Sequence, residues 1–526
     1  MIRLEQDQQS LLDAALDAMN AGQLRDLIRS LILQEDEPTA MRLLRTVSNQ
    51  ATRDSGNWKP PPPGKQRVLE IEAFAGAMGR TGQGNPMDVD RCLDDGIHAF
   101  LARDHATARR ILGALLIPIG NGEVDLGQEQ LIDEVLDVDV ETCCNQYITA
   151  VYMTESPEQR AQAVHAAIED LWGIHTLDRP VHTLETTLGE PLPELREFVV
   201  HWRALVEARI DKAAPSDRDR SEDRWLREAV ERTDGTEGLA ELARKRQRPE
   251  DLRAWCEALV NAGDWTAARN AYAEAADRVG SGSHALGEFL DGASLAAQEL
   301  GADDLETALQ QAWQRAPTLP RLCRWLGHSP TPERIRSRAA IALGRLPADA
   351  GRQRALLHSL RGEFEAAATL LADAPGLEWA SDDHPGHLLI PLFLTHLGSG
   401  DGSIPFPHVD DMPDRWPTGN KPRLHTPAIK TLLALAAVDA PDEKTRSVMI
   451  RGMRRAAENR IAGVTANQRR RHYPHAANLA VQCARAHTAG TGGPWLTALI
   501  NRYNRHPALK RELLSAAAVE WPVSGV

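Results

Sequence analysis

Three constellations in this sequence are of residue types that could do chemistry, and each needs a particular geometry to do it. The first is His384-Pro385-Gly386-His387, with His396 further along and the acids Asp382, Asp383, Asp410 and Asp411 around it. A metal hydrolase holds its ion with two or three such ligands converging on an open coordination position. A metalloprotease places two histidines four apart on one helix face, with a glutamate beside the first. Here Pro385 and Gly386 separate the pair, so helix geometry does not align them. The alternative is a helix N-terminus, with Asp383 or His384 near the cap and Leu388, Leu389, Leu392 and Phe393 packing inward. On this reading the sequence assigns no metal ligand and no cofactor.

The second constellation is Arg469, Arg470, Arg471, His472, Tyr473 and His475, the densest positive patch, preceded by Arg454, Arg455 and Arg460. Arginines beside an aromatic ring engage phosphates and stack on bases. The same residues also serve as a solvated helix end that pairs with surplus carboxylates. The third, Cys143-Cys144, is neither a redox nor a metal pair, because neighbours on a helix do not face a common point. No Gly-x-x-x-x-Gly-Lys-Ser/Thr phosphate loop and no Gly-x-Ser-x-Gly elbow occur. Gly79-Arg-Thr-Gly82-Gln-Gly84 is glycine-rich, but no strand pattern precedes it, which argues against a dinucleotide site. The twelve tryptophans fit helix-hairpin cores, with Trp416 set apart in a long loop. No catalytic residue is identified, and the expectation is a protein that is not an enzyme.

The elements that must carry these residues are helical. Ala, Leu, Arg and Glu recur, whereas Tyr and Phe number only 5 and 7, a composition that favours helices over sheets. Sixty basic residues against 74 acidic ones give a net charge of −14, so a nucleic-acid surface would require a segregated basic patch. Residues 1–9 lead into an amphipathic segment without an apolar leader core, and no run approaches the ~18 apolar residues of a membrane span. The six cysteines are scattered apart from one adjacent pair, the pattern of reduced, buried thiols. The expected compartment is the cytoplasm, with no membrane association.

Along the chain, Leu24, Leu27, Ile28 and Leu31 trace one apolar helix face, and a further helix is expected over 37–51. Trp58-Lys59-Pro60-Pro61-Pro62-Pro63-Gly64 stops it, closing an N-terminal helical unit at 1–58. A helical domain follows over 65–212. Within it, Ser156-Pro157-Glu158-Gln159 reads as a capped helix start with a capping box, and Phe198, Trp202, Leu205 and Val206 stripe a long helix. The polar stretch 213–222 is the next boundary, and a helical array spans 222–375, with Thr331-Pro332-Glu333 opening one of its helices. A Pro/Gly-rich loop region occupies 376–425 and a C-terminal helical cap 426–526.

Repetition is visible in the turns. Gly263, Trp265, Ala268, Tyr272 and Ala275 fall at offsets that Gly362, Phe364, Ala367, Leu371 and Ala374 reproduce, and Arg103, His105, Ala108, Leu112 and Leu115 give a weaker copy. The glycine ends one helix in a left-handed conformation, the aromatic packs back on that helix, and the alanine permits close approach. The large residue four places later fills the next groove. This resembles the second half of a tetratricopeptide repeat, with first helices over 252–261 and 354–360, although the copies are not multiples of ~34 residues apart. The expected fold is therefore all-α, an irregular α-solenoid or helical-hairpin array.

The C-terminal stretch from Arg469 through Tyr473-Pro-His-Ala-Ala to Cys483, then Trp495-Leu-Thr-Ala-Leu and Tyr503-Asn-Arg-His-Pro507-Ala-Leu509, resembles the end of the helical regions of bacterial SWIM zinc-finger family proteins. The finger itself, Cys-x-Cys followed by Cys-x-His, is absent, so zinc and DNA binding do not carry over. The resemblance implies a helical accessory protein of bacterial type. Stacked hairpins typically bind peptides or proteins, so the expected function is a scaffold or adaptor for a protein partner. The alternative is a nucleic-acid-associated factor using Arg469–His475. A metal-dependent enzyme centred on His384 and His387 comes third.

Overall fold

Residues with high helix propensity dominate the chain, and the fold follows them. A computed structural model shows α-helices and short 3₁₀ turns, with no strand among the described residues beyond an isolated bridge between Gln83 and Asp125. The described residues are 15–16, 18–35, 39–40, 43–44, 47, 60–127, 132–214, 216, 218–347, 349–377, 379, 381, 383–398, 422–486 and 491–520. The expected all-α class is the one observed. The helix expected over 37–51, Trp58 and Lys59, Asp382, and the loop portion 399–421 with Asp410, Asp411 and Trp416 lie wholly or largely outside the described residues.

The chain divides into two compact units, Met1–Leu242 and Ala243–Val526. The first holds α1 (Ala21–Gln34), α2 (Lys65–Thr81), α3 (Pro86–Leu101), α4 (His105–Gly120), α5 (Val140–Thr154), α6 (Pro157–Asp170), α7 (Pro180–Leu188) and α8 (Leu195–Lys212). Helix α9 (Ser221–Arg246) runs across the division and is broken at Gly235, φ +64°. In this unit α3 lies against α4, α4 against α5, α5 against α6, and α8 returns onto α6. Its core is a file of rings from Tyr152 through Phe198 and Trp202 to Trp225, with centroid spacings of 4.9, 5.8 and 5.5 Å. Of the stripe expected on α8, Phe198, Trp202 and Val206 are buried, Leu205 is half-buried, and Val199 joins the buried face.

The second unit continues with α10 (Pro249–Asn261), α11 (Trp265–Val279), α12 (Leu286–Glu299), α13 (Leu305–Arg315), α14 (Leu319–Leu326), α15 (Pro332–Leu343), α16 (Gly351–Leu360) and α17 (Phe364–Asp373). It ends with α18 (Gly386–His396), α19 (Ile429–Leu435), α20 (Glu443–Ala466), α21 (Tyr473–Arg485), α22 (Gly492–Arg502) and α23 (Pro507–Glu520). From α10 to α17 each helix packs on the next. The succession then breaks, because α20 packs back on α17 and α18, and α21 packs on α20 and α23.

The hairpin turns have the chemistry that the repeat implied. Gly263 and Gly362 sit at φ +74°, and Arg103, at the same offset in the weaker copy, sits at φ +66°. In each turn the next residue donates its N–H to a carbonyl five back: Asp104 to Ala99 (2.9 Å), Asp264 to Leu259 (3.1 Å), Glu363 to His358 (2.9 Å). That closes the finished helix with a Schellman bond. The same residue then starts the next helix, since the Asp104 and Asp264 carboxylates accept the N–H groups of Thr107 and Ala267. Ala108, Ala268 and Ala367 are wholly buried. Tyr272 fills a groove as expected: a Cβ on Gly292 would stand 2.4 Å from its ring. The aromatic at the second offset varies. His105 packs back on Phe100 (5.1 Å), whereas Phe364 faces forward onto His396 (4.9 Å) and Trp265 is half-buried.

Thr331 caps α15 through its hydroxyl, as its Thr-Pro-Glu start implied. The capping box expected at Ser156 is not made, although Pro157 does open α6. Gly79–Gly84 ends a helix, with Gly82 at φ +70° as the C-cap of α2. Arginines complete many helix ends, where carbonyls lack intrahelical partners and the dipole favours a cation. Arg338 donates to the carbonyls of Trp325, Leu326 and His328 (3.0, 3.1 and 2.6 Å). Arg446 does the same at His396 and Leu397, and Arg160 at Tyr152 and Glu155.

Candidate functional site: an imidazole and arginine cluster in the C-terminal unit

Four segments of the second unit meet around Trp379. The turn 375–377 is pressed against α20, where a Cβ on Gly376 would stand 1.9 Å from the Asn459 carbonyl oxygen. Asn459 Nδ2 donates to Ala372 O (2.8 Å) and Arg460 Nη1 to Gly376 O (3.0 Å), so α20 holds this turn by two side chains. The Trp379 indole then lies on the Gly386 backbone, and a Cβ there would fall 2.3 Å from its ring. Glycine between the two histidines is what admits the indole.

Around that indole the structure gathers residues far apart in sequence. Ring centroids lie 4.2 Å away for His384, 5.6 Å for His387 and 5.4 Å for His475. His384 is buried and both its nitrogens are engaged: Gly386 N–H donates to Nδ1 (3.0 Å), and Nε2–H donates to the Pro375 carbonyl (3.3 Å). A histidine so bound has no lone pair to offer an ion. It acts instead as a cap at the start of α18, whose Leu388, Leu389, Leu392 and Phe393 are buried, as the helix N-terminus reading held. His387 Nε2–H donates to Trp379 O (2.9 Å). His396, at the far end of α18, does not join them.

The arginine patch abuts this cluster. Arg469 ends α20's run with a Schellman bond to Val464 O (2.9 Å), made possible by Gln468 at φ +54°. Arg470–His472 form a 3₁₀ turn leading into α21. Arg469, Arg470 and Arg471 are exposed, and among the described residues none pairs with a carboxylate. Arg471 Nε–H donates to His472 Nε2 (3.1 Å), which places the His472 proton on Nδ1. Tyr473 corrects the sequence reading: it is buried in the core and offers no ring to a base. Helix α21 begins at this residue, and its apolar face turns the phenol inward.

Burial lowers the His384 pKa to about 4, with the His387 charge next and the Pro375 carbonyl opposing. His475 is likewise lowered to about 4, first by loss of solvent and then by Arg460, His387 and His472, while part of its surface stays exposed. His472 is lowered by loss of solvent, then by Arg460, Arg471 and Arg469. Arg460 is lowered by burial alone, and its Nε is buried with no hydrogen-bond partner. Among the described residues, no carboxylate pairs with any of the four. The arrangement is a cationic and imidazole surface backed by an uncompensated buried guanidinium. Trp379 is a core tryptophan, as the sequence reading held, but its stacking on the histidines was not foreseen. The signal available was its position between Gly376 and Gly386, five residues before His384.

Elsewhere the chemistry is subdued. Burial pushes the thiols of Cys144, Cys256, Cys323 and Cys483 to about 12, so none is a nucleophile near neutrality. An open groove of about 580 Å³ on α23, lined by Asn504, Pro507, Lys510, Arg511, Leu514 and Ser515, shares no residue with the cluster.

No protein-family model matches the chain, and no curated protein matches it. Among solved structures it is similar to a "Circular tandem repeat protein with novel repeat topology and enhanced subunit contact surfaces", at 14% identity over 95% of this chain and 97% of that one, with a TM-score of 0.14. At that score the backbones do not superpose as wholes.

Proposed function

We propose that the protein is a non-catalytic helical scaffold that holds a protein partner, docked at the Arg469–His475 face of the C-terminal unit. The observation that carries this reading is the state of three exposed arginines. Arg244, Arg253, Arg269, Arg321, Arg334 and Arg338 each reach a carboxylate on a neighbouring helix. Arg469, Arg470 and Arg471 do not, in a chain with an excess of acids. Cations left unpaired on such a surface are available to a partner. Hairpins packed in succession supply the rigid support. The SWIM-type helical resemblance fits an accessory role of this kind.

Full-length tagged protein recovered under native conditions is expected to bring a stoichiometric partner, lost when Arg469, Arg470 and Arg471 are replaced by Ala. Recovery of the protein alone would overturn the reading. Nucleic acid is the second reading, favoured by the same unpaired arginines and opposed by the net charge of −14. It requires retention on DNA that falls steeply with salt and depends on the three arginines.

A further inference from the structure

The three arginines are not equivalent. Successive residues of a 3₁₀ turn point about 120° apart, so consecutive arginines fan out and do not converge. The His472 N–H nevertheless donates to the Arg469 carbonyl (3.0 Å), an i, i+3 relation that sets these two side chains on one face of the turn, and the charges of Arg460, Arg471 and Arg469 act on that imidazole. Arg471 also touches this ring directly, at 3.1 Å. His472 is therefore where the field of three cations meets, with His475 one turn on and Arg460 behind it. Arg460 adds a buried charge of the same sign: it is 4% exposed, its Nη1 donates to the Gly376 carbonyl (3.0 Å), its Nε lacks a partner, and among the described residues no carboxylate pairs with it. A buried guanidinium ordinarily has an acid beside it, because the desolvation of an unpaired charge costs several kcal/mol. The uncancelled charge of Arg460 adds to the positive field at His472.

We infer that the surface at Arg469, Arg471, His472 and His475 binds a single phosphate-type dianion presented by a segment of the protein partner. The inference rests on the docking reading above and gives that partner its chemistry. A phosphate offers two charges and three strong acceptor oxygens, which match two guanidinium forks and an Nδ1–H donor. A carboxylate offers half the charge. A nucleic acid draws its affinity from many phosphates in a row, and a convergence of this size accommodates one, on a molecule that repels the rest of the strand.

The test uses the full-length chain and fluorescence anisotropy with a labelled alanine-rich pentapeptide carrying a central phosphoserine. Its unphosphorylated and glutamate twins, inorganic phosphate as competitor, and a single-stranded DNA twelve-mer complete the set. The phosphopeptide is expected to bind, inorganic phosphate to displace it, and both twins to bind at least about tenfold more weakly. Arg469→Ala and Arg471→Ala should each weaken binding by about tenfold or more, with Arg470→Ala within about twofold of wild type. The exposed pair Arg80→Ala and Arg91→Ala controls for net charge. Equal losses at all three arginines would reveal a diffuse patch and sink the inference. So would equal binding of the glutamate twin, preference for the DNA, or failure of the phosphopeptide to bind. Phosphatase treatment separates the two readings. A captured partner insensitive to it defeats the phosphate inference and leaves the docking face standing. Phosphopeptide binding with no captured partner defeats the docking reading and leaves the anion site.

Discussion

His384 shows how one side chain can tie an acid response to packing. Its ring caps α18, bonds Pro375 and stacks on Trp379, all in the neutral form. Between pH 6.5 and 4 the unfolded chain takes up a proton at this imidazole that the folded chain refuses, so acid favours unfolding. The contribution is fully present above about pH 6.5, declines by up to ~3 kcal/mol on the way to pH 4, and declines no further below it. Urea unfolding of the wild type and His384→Gln across this window should show the shallower slope in the variant. Gly386→Ala tests the neighbouring contact. Its Cβ would collide with Trp379, and a loss of about 1–3 kcal/mol is expected, with a shift in tryptophan emission as the indole is displaced. The sequence showed His384-Pro-Gly-His387 and Arg469–His475 as two separate features, and the helix-start reading of the first was sound. Their meeting was not legible, because about ninety residues separate them and only the packing of α18, α20 and α21 joins them.

At the scale of elements, the turn does most of the specification. At Gly263 the following Asp264 seals the helix behind it and caps the helix ahead, whereas after Gly362 the Glu363 carboxylate turns back to His358 and Arg361. The turns at Gly263 and Gly362 were readable from their shared offsets of glycine, aromatic and alanine. Gly263→Ala should cost about 1–2 kcal/mol from the left-handed backbone alone. Gly362→Ala should cost more, since its Cβ would also stand 2.9 Å from Val438 Cγ1. Paired thermal melts decide the order. Gln468→Gly runs the other way: a side chain at φ +54° is relieved, and a gain of up to about 1 kcal/mol is expected. Less legible were the arginine caps, because a guanidinium that closes a helix twelve residues upstream leaves no local pattern. Arg338→Lys should destabilise nearly as much as Arg338→Ala, as one ammonium does not span three carbonyls. Near-full recovery by lysine in urea titrations would refute that account.

On the scale of the molecule, two units with separate cores predict that unfolding departs from two-state behaviour. Far-ultraviolet dichroism and tryptophan emission, followed in the same urea series, should give non-coincident curves, and superposable curves would count against it. The helical class was plain from composition, since most of the described tryptophans are buried between helices, Trp172 at 49% exposure being an exception. The irregular return of α20 onto α17 was not, because it depends on a long excursion whose residues carry no repeat. The burial of all six native thiols has a practical outcome. Alkylating dyes attack only ionised, reachable sulfur, so the folded molecule presents a nearly silent background to maleimide chemistry. A single cysteine introduced on the surface, at Arg470 for instance, would take up one fluorophore without any native sulfur being removed. The protein thus comes ready for distance measurements by energy transfer, with its own sulfur chemistry left intact.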